Sequence, residues 1–413
     1  MKTLWNHNDL TDTSKRLFSG ASVKGMFRKH LCVLLACMMV LSLVAAGCQN
    51  TSDEPPTEDP APTDETLNQE PANDLPLIQD EALLAKIEDT CRPYFEYKGF
   101  TGLSIGVIKD GEIAYFNYGT TEKDGTVAVT EDTIYEIASN TKPFTAALLG
   151  LLANRETVSL SQPISDFFDH AVPTFNGEEA TLRDLATHSS GLPRLPDNLV
   201  INDNPYKDYT EAMLLDYLQQ GQLNWKPGTA YSYSNLGMGL LGYILGKAAD
   251  SSYGELLQEN ILAPIGMDST ALVLNAEQQA RKAKPHIIKG LPGHEWDFDV
   301  LEGCGGLKST TRDMTRYLMA YLGHLEINDE LEAALKKTQH LYYNGSDAQM
   351  GLGWFWGQVG GVNMWNHTGQ VGGYCSFTGF SPYQDIGIVL LCNNATTVDN
   401  LADQLVEVLA GDQ

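Results

Sequence analysis

Ile137-Ala138-Ser139-Asn140-Thr141-Lys142-Pro143-Phe144-Thr145 is the stretch on which the reading of this chain turns. Ser139 and Lys142 are three residues apart, which on a helix puts both side chains on one face. Downstream, Phe144, Ala147, Leu148, Leu151 and Leu152 recur at helical spacing. Proline is tolerated only in the first turn of a helix, so Pro143 places the start near Ser139. The serine oxygen would then lie at the positive end of the helix, with an amine one turn away. A base this close is what activates a weak hydroxyl nucleophile. The same spacing also fits a serine cap followed by an ordinary surface lysine, so the chemistry has to be argued from other segments as well.

The chain has 413 residues, enough for one large domain or two, and 43% of them are hydrophobic, enough for a sizeable core. Its net charge of −26 argues against a nucleic-acid partner. The charge is uneven: residues 1–47 carry six basic and two acidic side chains. Within them, residues 31–46 form an apolar run behind Arg28-Lys29-His30. That run is short for a membrane span and has the flanks of a signal peptide. It ends in Leu43-Val44-Ala45-Ala46-Gly47-Cys48, which resembles a bacterial lipobox, with Ala45 where that pattern prefers Leu. The resemblance implies a lipoprotein signal over 1–47, lipidation of Cys48, and an extracytoplasmic protein anchored to the bacterial membrane. Met26 offers a second start, from which the signal would have ordinary length. Residues 48–78 read as a disordered tether, since 49–76 hold eight acids, six prolines and no Lys or Arg. At about 3.1 Å per residue such a tether reaches roughly 90 Å. The catalytic domain is then 79–413.

Within that domain, residues 81–97 read as an amphipathic helix. Two alternating runs, 103–109 and 112–118, flank Asp110-Gly111 and predict a hairpin with a type I′ turn. Helical patterns and loops dominate from about 140 to 340, as at 210–220, 237–249 and 311–322. Strand patterns return at 352–358, 362–367, 374–381 and 386–392, and 398–409 closes as a helix. Strands at both ends with helices between predict an α/β (α+β) sandwich: one antiparallel sheet flanked by helices, with an inserted helical subdomain. A cleft between sheet and helical part is the natural site.

Two further motifs bear on chemistry. Tyr233-Ser234-Asn235 lies in a turn-rich segment, and a phenol there can act as a base if a neighbouring ammonium such as Lys142 pulls its pKa down. Tyr342-Tyr343-Asn344 has the same spacing and reads as a surface loop. His367-Thr368-Gly369 ends a strand, with Gly372-Gly373 soon after; glycine there lets a substrate lie against the strand edge. His367 is placed to donate to a substrate carboxylate or carbonyl. His188 in Thr187-His188-Ser189-Ser190-Gly191 reads as a loop-structuring residue, because an adjacent Ser-His pair cannot supply a triad by itself. No Gly-x-Ser-x-Gly elbow is present, and His294-Glu295 lacks the second His of a zinc helix.

Ser139-Asn-Thr-Lys142, Tyr233-Ser-Asn235 and His367-Thr-Gly369 occur in the order seen in the penicillin-recognising serine hydrolases, and the chain most resembles their class C β-lactamase-related branch. Thr181-Leu-Arg-Asp-Leu-Ala-Thr-His-Ser-Ser-Gly-Leu-Pro193, Pro264-Ile-Gly-Met267 and Gly305-Gly-Leu-Lys-Ser-Thr310 carry the same resemblance, which spans roughly 80–413. It implies a β-lactamase/transpeptidase-like fold and acyl-serine catalysis on a small-molecule or peptide substrate, without metal or cofactor. By position, Ser139 is the nucleophile, Lys142 and Tyr233 the proton relay, and Asn235 orients the substrate amide. His367, Thr368, Gly369 and Gln370 bind substrate, with the N–H groups of Ser139 and Gln370 as the oxyanion hole. The departure is His367, where the β-lactamase pattern has a lysine; a neutral His removes the fixed cation for a substrate carboxylate. The implied substrates are D-amino-acid peptides, cell-wall peptides, esters or β-lactams. The alternative is a penicillin-binding or sensor lipoprotein with little turnover, but a binder has no need of a proton relay.

Cys375 and Cys392 flank Pro382-Tyr383-Gln384-Asp385. If those four residues form the loop, Ser381 faces Ile386 and Cys375 faces Cys392. Phe377, Ile386, Ile388 and Leu390 make that face apolar, so buried free thiols are the favoured expectation there, and a strained cross-strand disulfide is the alternative.

Overall fold

The computed structural model describes residues 75–411. The signal expected over 1–47, Cys48 and the expected tether as far as residue 74 lie outside the described residues. Residues 75–78, counted with the tether from sequence, belong to the folded body. Leu75 and Ile78 are buried, and Pro76 and Ile78 exchange backbone hydrogen bonds with Ile113.

Helix α1 (Glu81–Lys98) starts at Asp80, whose carboxylate accepts the N–H groups of Ala82 and Leu83, and stops at Gly99 in the left-handed conformation. Strands β1 (Gly102–Lys109) and β2 (Glu112–Gly119) form the expected hairpin. Asp110 and Gly111 both have positive φ, 51° and 79°, as a type I′ turn requires. The central segment supplies α2 (Lys142–Asn154), α3 (Glu211–Gln220), α4 (Asn235–Ala248), α5 (Thr311–Leu322) and α6 (Asp329–Thr338). It also holds a small hairpin, Thr174–Phe175 against Glu178–Glu179, which helical periodicity did not announce. The C-terminal part adds β3 (Tyr343–Asn344), β4 (Gln349–Met350), β5 (Phe355–Val359), β6 (Val362–Gln370), β7 (Cys375–Ser381), β8 (Ile386–Cys392) and α7 (Asp399–Ala410). Tyr342-Tyr343-Asn344 is thus not a loop: Tyr343 pairs with Met350 as an edge strand and is buried.

The sheet order is β2-β1-β8-β7-β6-β5-β4-β3, antiparallel throughout. Both chain ends build one sheet because β1 pairs with β8, Leu103 facing Cys392. Every residue of β7 and β8 is buried, as central strands covered on both faces must be. On one face, α1 and α7 pack Ile87, Cys91, Leu401 and Leu405 against Leu103, Ile105, Phe377 and Leu390. On the other, α5 lies against β1, β7 and β8, and Ile108, Phe380, Val389 and Leu391 join one core cluster that continues into α2 and α4. The hairpin register from sequence holds: Ser381 faces Ile386 and Cys375 faces Cys392. Both thiols are free and buried under α1 and α7 in one cluster with Cys91, and Cys304 is free and buried in the other core cluster.

Candidate active site

Helix α2 is buried at every position from Lys142 to Leu152, so the apolar stripe seen in sequence is one side of a helix enclosed all round. Phe144 stacks on Tyr317 of α5 with ring centroids 4.0 Å apart. A helix held this firmly fixes the direction of its first turn. Ser139 does not lie on the α-helix itself but on a 3₁₀ turn, Ala138–Thr141, leading into it. The preceding residue, Ala138, has φ 52°, a conformation that costs an L residue energy and persists only when its surroundings over-determine it. Those surroundings are explicit. Ile137 donates to Leu307 O, and Leu307 donates to Thr141 Oγ1. Ser376 Oγ on β7 donates to Ile137 O at 2.8 Å and accepts from Asn140 Nδ2 at 2.8 Å. Sequence reading missed Ser376 because nothing local links it to residue 137.

Lys142 Nζ lies 2.9 Å from Ser139 Oγ and donates to Cys304 O at 2.6 Å. Cys304 ends a 3₁₀ turn, Glu302–Cys304, which places its carbonyl at the amine. Burial strips water from the amine and lowers its pKa to about 7. The Tyr233 hydroxyl donates to Ser139 Oγ at 2.8 Å. The Tyr233 ring lies 4.8 Å from Lys142 Nζ. Here the structure corrects the sequence reading, in which Lys142 pulls the phenol down. Burial dominates and holds the Tyr233 phenol well above its ordinary value, with the Ser139 hydrogen bond and the Arg194 charge opposing it only in part. Both partners of the serine are therefore biased toward their uncharged forms, for the same reason: neither charge is solvated.

His188 structures the Tyr233 segment. Its carbonyl accepts the N–H of Ser232, its Nδ1 accepts the N–H of Ser234 at 3.1 Å, and its ring lies 4.4 Å from the Tyr233 ring. Asp347 adds a second support, accepting from Tyr231 N and from the Tyr343 hydroxyl. Asn235 opens α4, and its Nδ2 donates to the Tyr206 hydroxyl at 2.8 Å. Its Oδ1 is buried without a partner.

Strand β6 closes the opposite side. A Cβ at Gly369 would sit 2.3 Å from Ile137 O, 2.4 Å from Ser376 Oγ and 3.0 Å from Ser139 N. Only glycine lets this strand lie against the turn that carries Ser139. Thr368 faces Phe377, and Gln370 faces Cys375 while its Nε2 donates to Ala395 O. His367 is buried, and its Nδ1 lies 2.7 Å from Thr368 O. A carbonyl can only accept, so Nδ1 carries the proton and Nε2 is a bare acceptor, buried and without a partner. Burial first, and the nearby Lys142 second, lower the His367 pKa to about 3. The donor expected at this position is therefore an acceptor, and it carries no charge.

A sheet with helices on both faces, and a serine held between a buried amine and a phenol, define a serine hydrolase. The Beta-lactamase family profile matches residues 87–411, and the chain belongs to that family. A β-lactamase of Pseudomonas fluorescens is 26% identical over 343 residues, covering 74% of this chain and 92% of the relative. The D-alanyl-D-alanine-carboxypeptidase/endopeptidase AmpH of Escherichia coli (strain K12) is 29% identical over 341 residues, covering 77% and 87%. Among solved structures, a β-lactamase/D-alanine carboxypeptidase from Yersinia pestis superposes with a TM-score of 0.71 at 25% identity, covering 80% of this chain and 98% of that one.

Gly369→Ala should push β6 away from Ser139 N and lower kcat about 10²-fold, the usual effect of a misplacement near 1 Å. The fold should survive, as read by circular dichroism and thermal melting. Wild-type turnover in this variant would contradict the close strand approach.

Proposed function

We propose that this chain hydrolyses an amide or ester through an acyl-enzyme on Ser139, with Lys142 as the general base. The observation that carries this reading is the buried Lys142 amine, 2.9 Å from Ser139 Oγ, with its pKa lowered to about 7. An uncharged amine takes the proton of Ser139 Oγ as that oxygen bonds to the substrate carbonyl carbon. Tyr233, kept protonated by burial, stands 2.8 Å from the same oxygen and passes a proton to the leaving nitrogen or oxygen as its bond to carbon breaks. Lys142 then re-protonates Tyr233, and water releases the acyl group by the reverse sequence. The backbone N–H groups of Ser139 and Gln370 are the donors assigned to the carbonyl oxygen; such preorganised donors are worth about 3 kcal/mol each. Asn235 Oδ1, buried and unpartnered, is an acceptor suited to a substrate amide N–H. His367, Thr368 and Gly369 line the strand edge.

An ester, or a peptide with no free carboxylate on its leaving group, fits this site better than a β-lactam. The supporting observation is the uncharged, acceptor-only His367, which supplies no cation to a β-lactam carboxylate. Names among the relatives include both β-lactamase and D-alanyl-D-alanine-carboxypeptidase.

Ser139→Ala should abolish covalent labelling by a fluorophosphonate; persistent labelling would remove Ser139 as nucleophile. Lys142→Ala and Tyr233→Phe should each lower kcat by about 10² or more. Because Lys142 is inactive while protonated, kcat/KM on a neutral p-nitrophenyl ester should rise with pH through about 7 and level off above it. A profile already flat from pH 5 would exclude Lys142 as the base. Parallel assays on p-nitrophenyl esters, D-alanyl peptides and nitrocefin rank the substrate classes, with the neutral esters expected first.

We further propose that lipidated Cys48 anchors the enzyme outside the cell on the bacterial membrane. The apolar run at 31–46 and the acidic, proline-rich stretch that follows support this. Cys48→Ala should move the protein to the soluble fraction with its activity intact; unchanged membrane fractionation would refute the anchor.

A further inference from the structure

Arg194 follows Gly191-Leu192-Pro193, and its carbonyl accepts the N–H groups of Asn235 and Leu236 at 3.0 and 3.2 Å. Its backbone is thereby fixed to the first turn of α4. The side chain is exposed, with the guanidinium carbon 5.0 Å from the centroid of the Tyr233 ring. Arg92, Arg155, Arg183, Arg281 and Arg312 each pair with a carboxylate. Among the described residues, Arg194 pairs with none. An unpaired guanidinium is unexpected in a chain with 53 acidic and 27 basic residues, where carboxylates are in excess. A cation–π contact at an exposed site is worth only about 0.5–1 kcal/mol and does not require the fork to stay empty.

The position gives that empty fork a use. A guanidinium stacked on an aromatic face keeps its edge N–H groups free, and that edge matches a carboxylate in two parallel hydrogen bonds. The other groups around Tyr233 carry no fixed charge. His188 and His367 are held neutral by burial, and Lys142 is brought down to about 7. The Arg194 charge is felt at Lys142, His188, Tyr206 and Tyr233, so the guanidinium, though solvent-accessible, lies close to the reaction centre. Arg194 also lies on the Asn235 side, across from β6. Asn235 Oδ1 is the unpartnered acceptor on this side; we assign the amide that meets it to the acyl part of the substrate, and with it any group that reaches Arg194.

We propose that Arg194 recognises a carboxylate on the acyl portion of the substrate, and so makes this hydrolase selective for anionic acyl donors. The proposal rests on the acyl-Ser139 reading and adds the substrate class. In an acidic protein, a single fixed cation at the site also offsets the general repulsion of an anionic substrate.

The test compares mono-p-nitrophenyl adipate with its methyl ester, which differ only in the acyl-side charge; the suberate pair extends the reach. Values of kcat/KM are taken on the plateau of each variant's own pH profile, because Arg194 also acts on Lys142. In the wild type, the ratio of charged to neutral ester should exceed one. Arg194→Gln should lower that ratio by about tenfold or more, mainly through KM, as for a lost hydrogen bond to a charged group. Arg194→Lys should keep part of it, having the charge without the fork. Raising NaCl should erode the ratio in the wild type and not in Arg194→Gln. A ratio unchanged within roughly twofold in Arg194→Gln, with both esters still turned over, overturns the role of Arg194 alone. Absence of Ser139-dependent turnover of the methyl ester in the wild type overturns the hydrolase reading, and this proposal with it.

Discussion

The burial of the Lys142 amine is the constraint on which the rest of the structure depends. Holding an amine uncharged against an ordinary value of 10.5 costs on the order of 5 kcal/mol at pH 7. The group is kept there by Ser139 Oγ, by the Cys304 carbonyl and by the Tyr233 ring. The cost is offset elsewhere, by a helix enclosed along its length and by aromatic packing such as Phe144 on Tyr317. This is the usual arrangement of a functional site: a local conflict maintained by a well-satisfied surround. The left-handed Ala138 belongs to the same conflict, since it turns the chain so that Ser139 meets the amine one turn later.

Two rigid elements bring the remaining groups to that pair. Helix α4 presents Asn235 and, through the hydrogen bonds to Arg194 O, sets the loop that carries the arginine. Strand β6 carries residues His367 to Gln370 and closes on the Ser139 turn at a glycine. His188 fastens Tyr233 between them by two backbone contacts and a ring face. The site is therefore asymmetric in charge. The strand side is neutral, while the α4 side has an exposed guanidinium.

Elements with local causes were legible in the sequence. Asp110-Gly111 between two alternating runs specified the hairpin, and a four-residue loop between Ser381 and Ile386 was enough to place Cys375 opposite Cys392. Ser139, Lys142 and Tyr233 were grouped from sequence by a family resemblance in their order, and the fold brings Lys142 and Tyr233 within hydrogen-bond distance of Ser139 Oγ. What was not legible depends on burial and distant contacts. An ammonium beside a phenol suggested a lowered Tyr233 pKa, but the sequence does not show that both lie in a dry place, where the phenol goes up and the amine comes down. The neighbour of His367 Nδ1 decides its tautomer, and that neighbour is a carbonyl seen only once the strand is built. Ser376, Tyr206 and Arg194 act across long sequence separations, so no window of sequence could have paired them with the site. Residues 75–78 were grouped with the tether because their neighbours are acidic and proline-rich, whereas Leu75 and Ile78 bury against the fold.

The most direct test of the central claim is the ionisation of Lys142 itself. Nitrogen-15 NMR of lysine-labelled protein, with the Lys142 signal assigned by its loss in Lys142→Arg, follows the amine through a pH titration. The account predicts a midpoint near 7, far below the exposed lysines of the same sample, and a shift of that midpoint on acylation of Ser139. An ammonium signal for Lys142 that persists through pH 9 would contradict it.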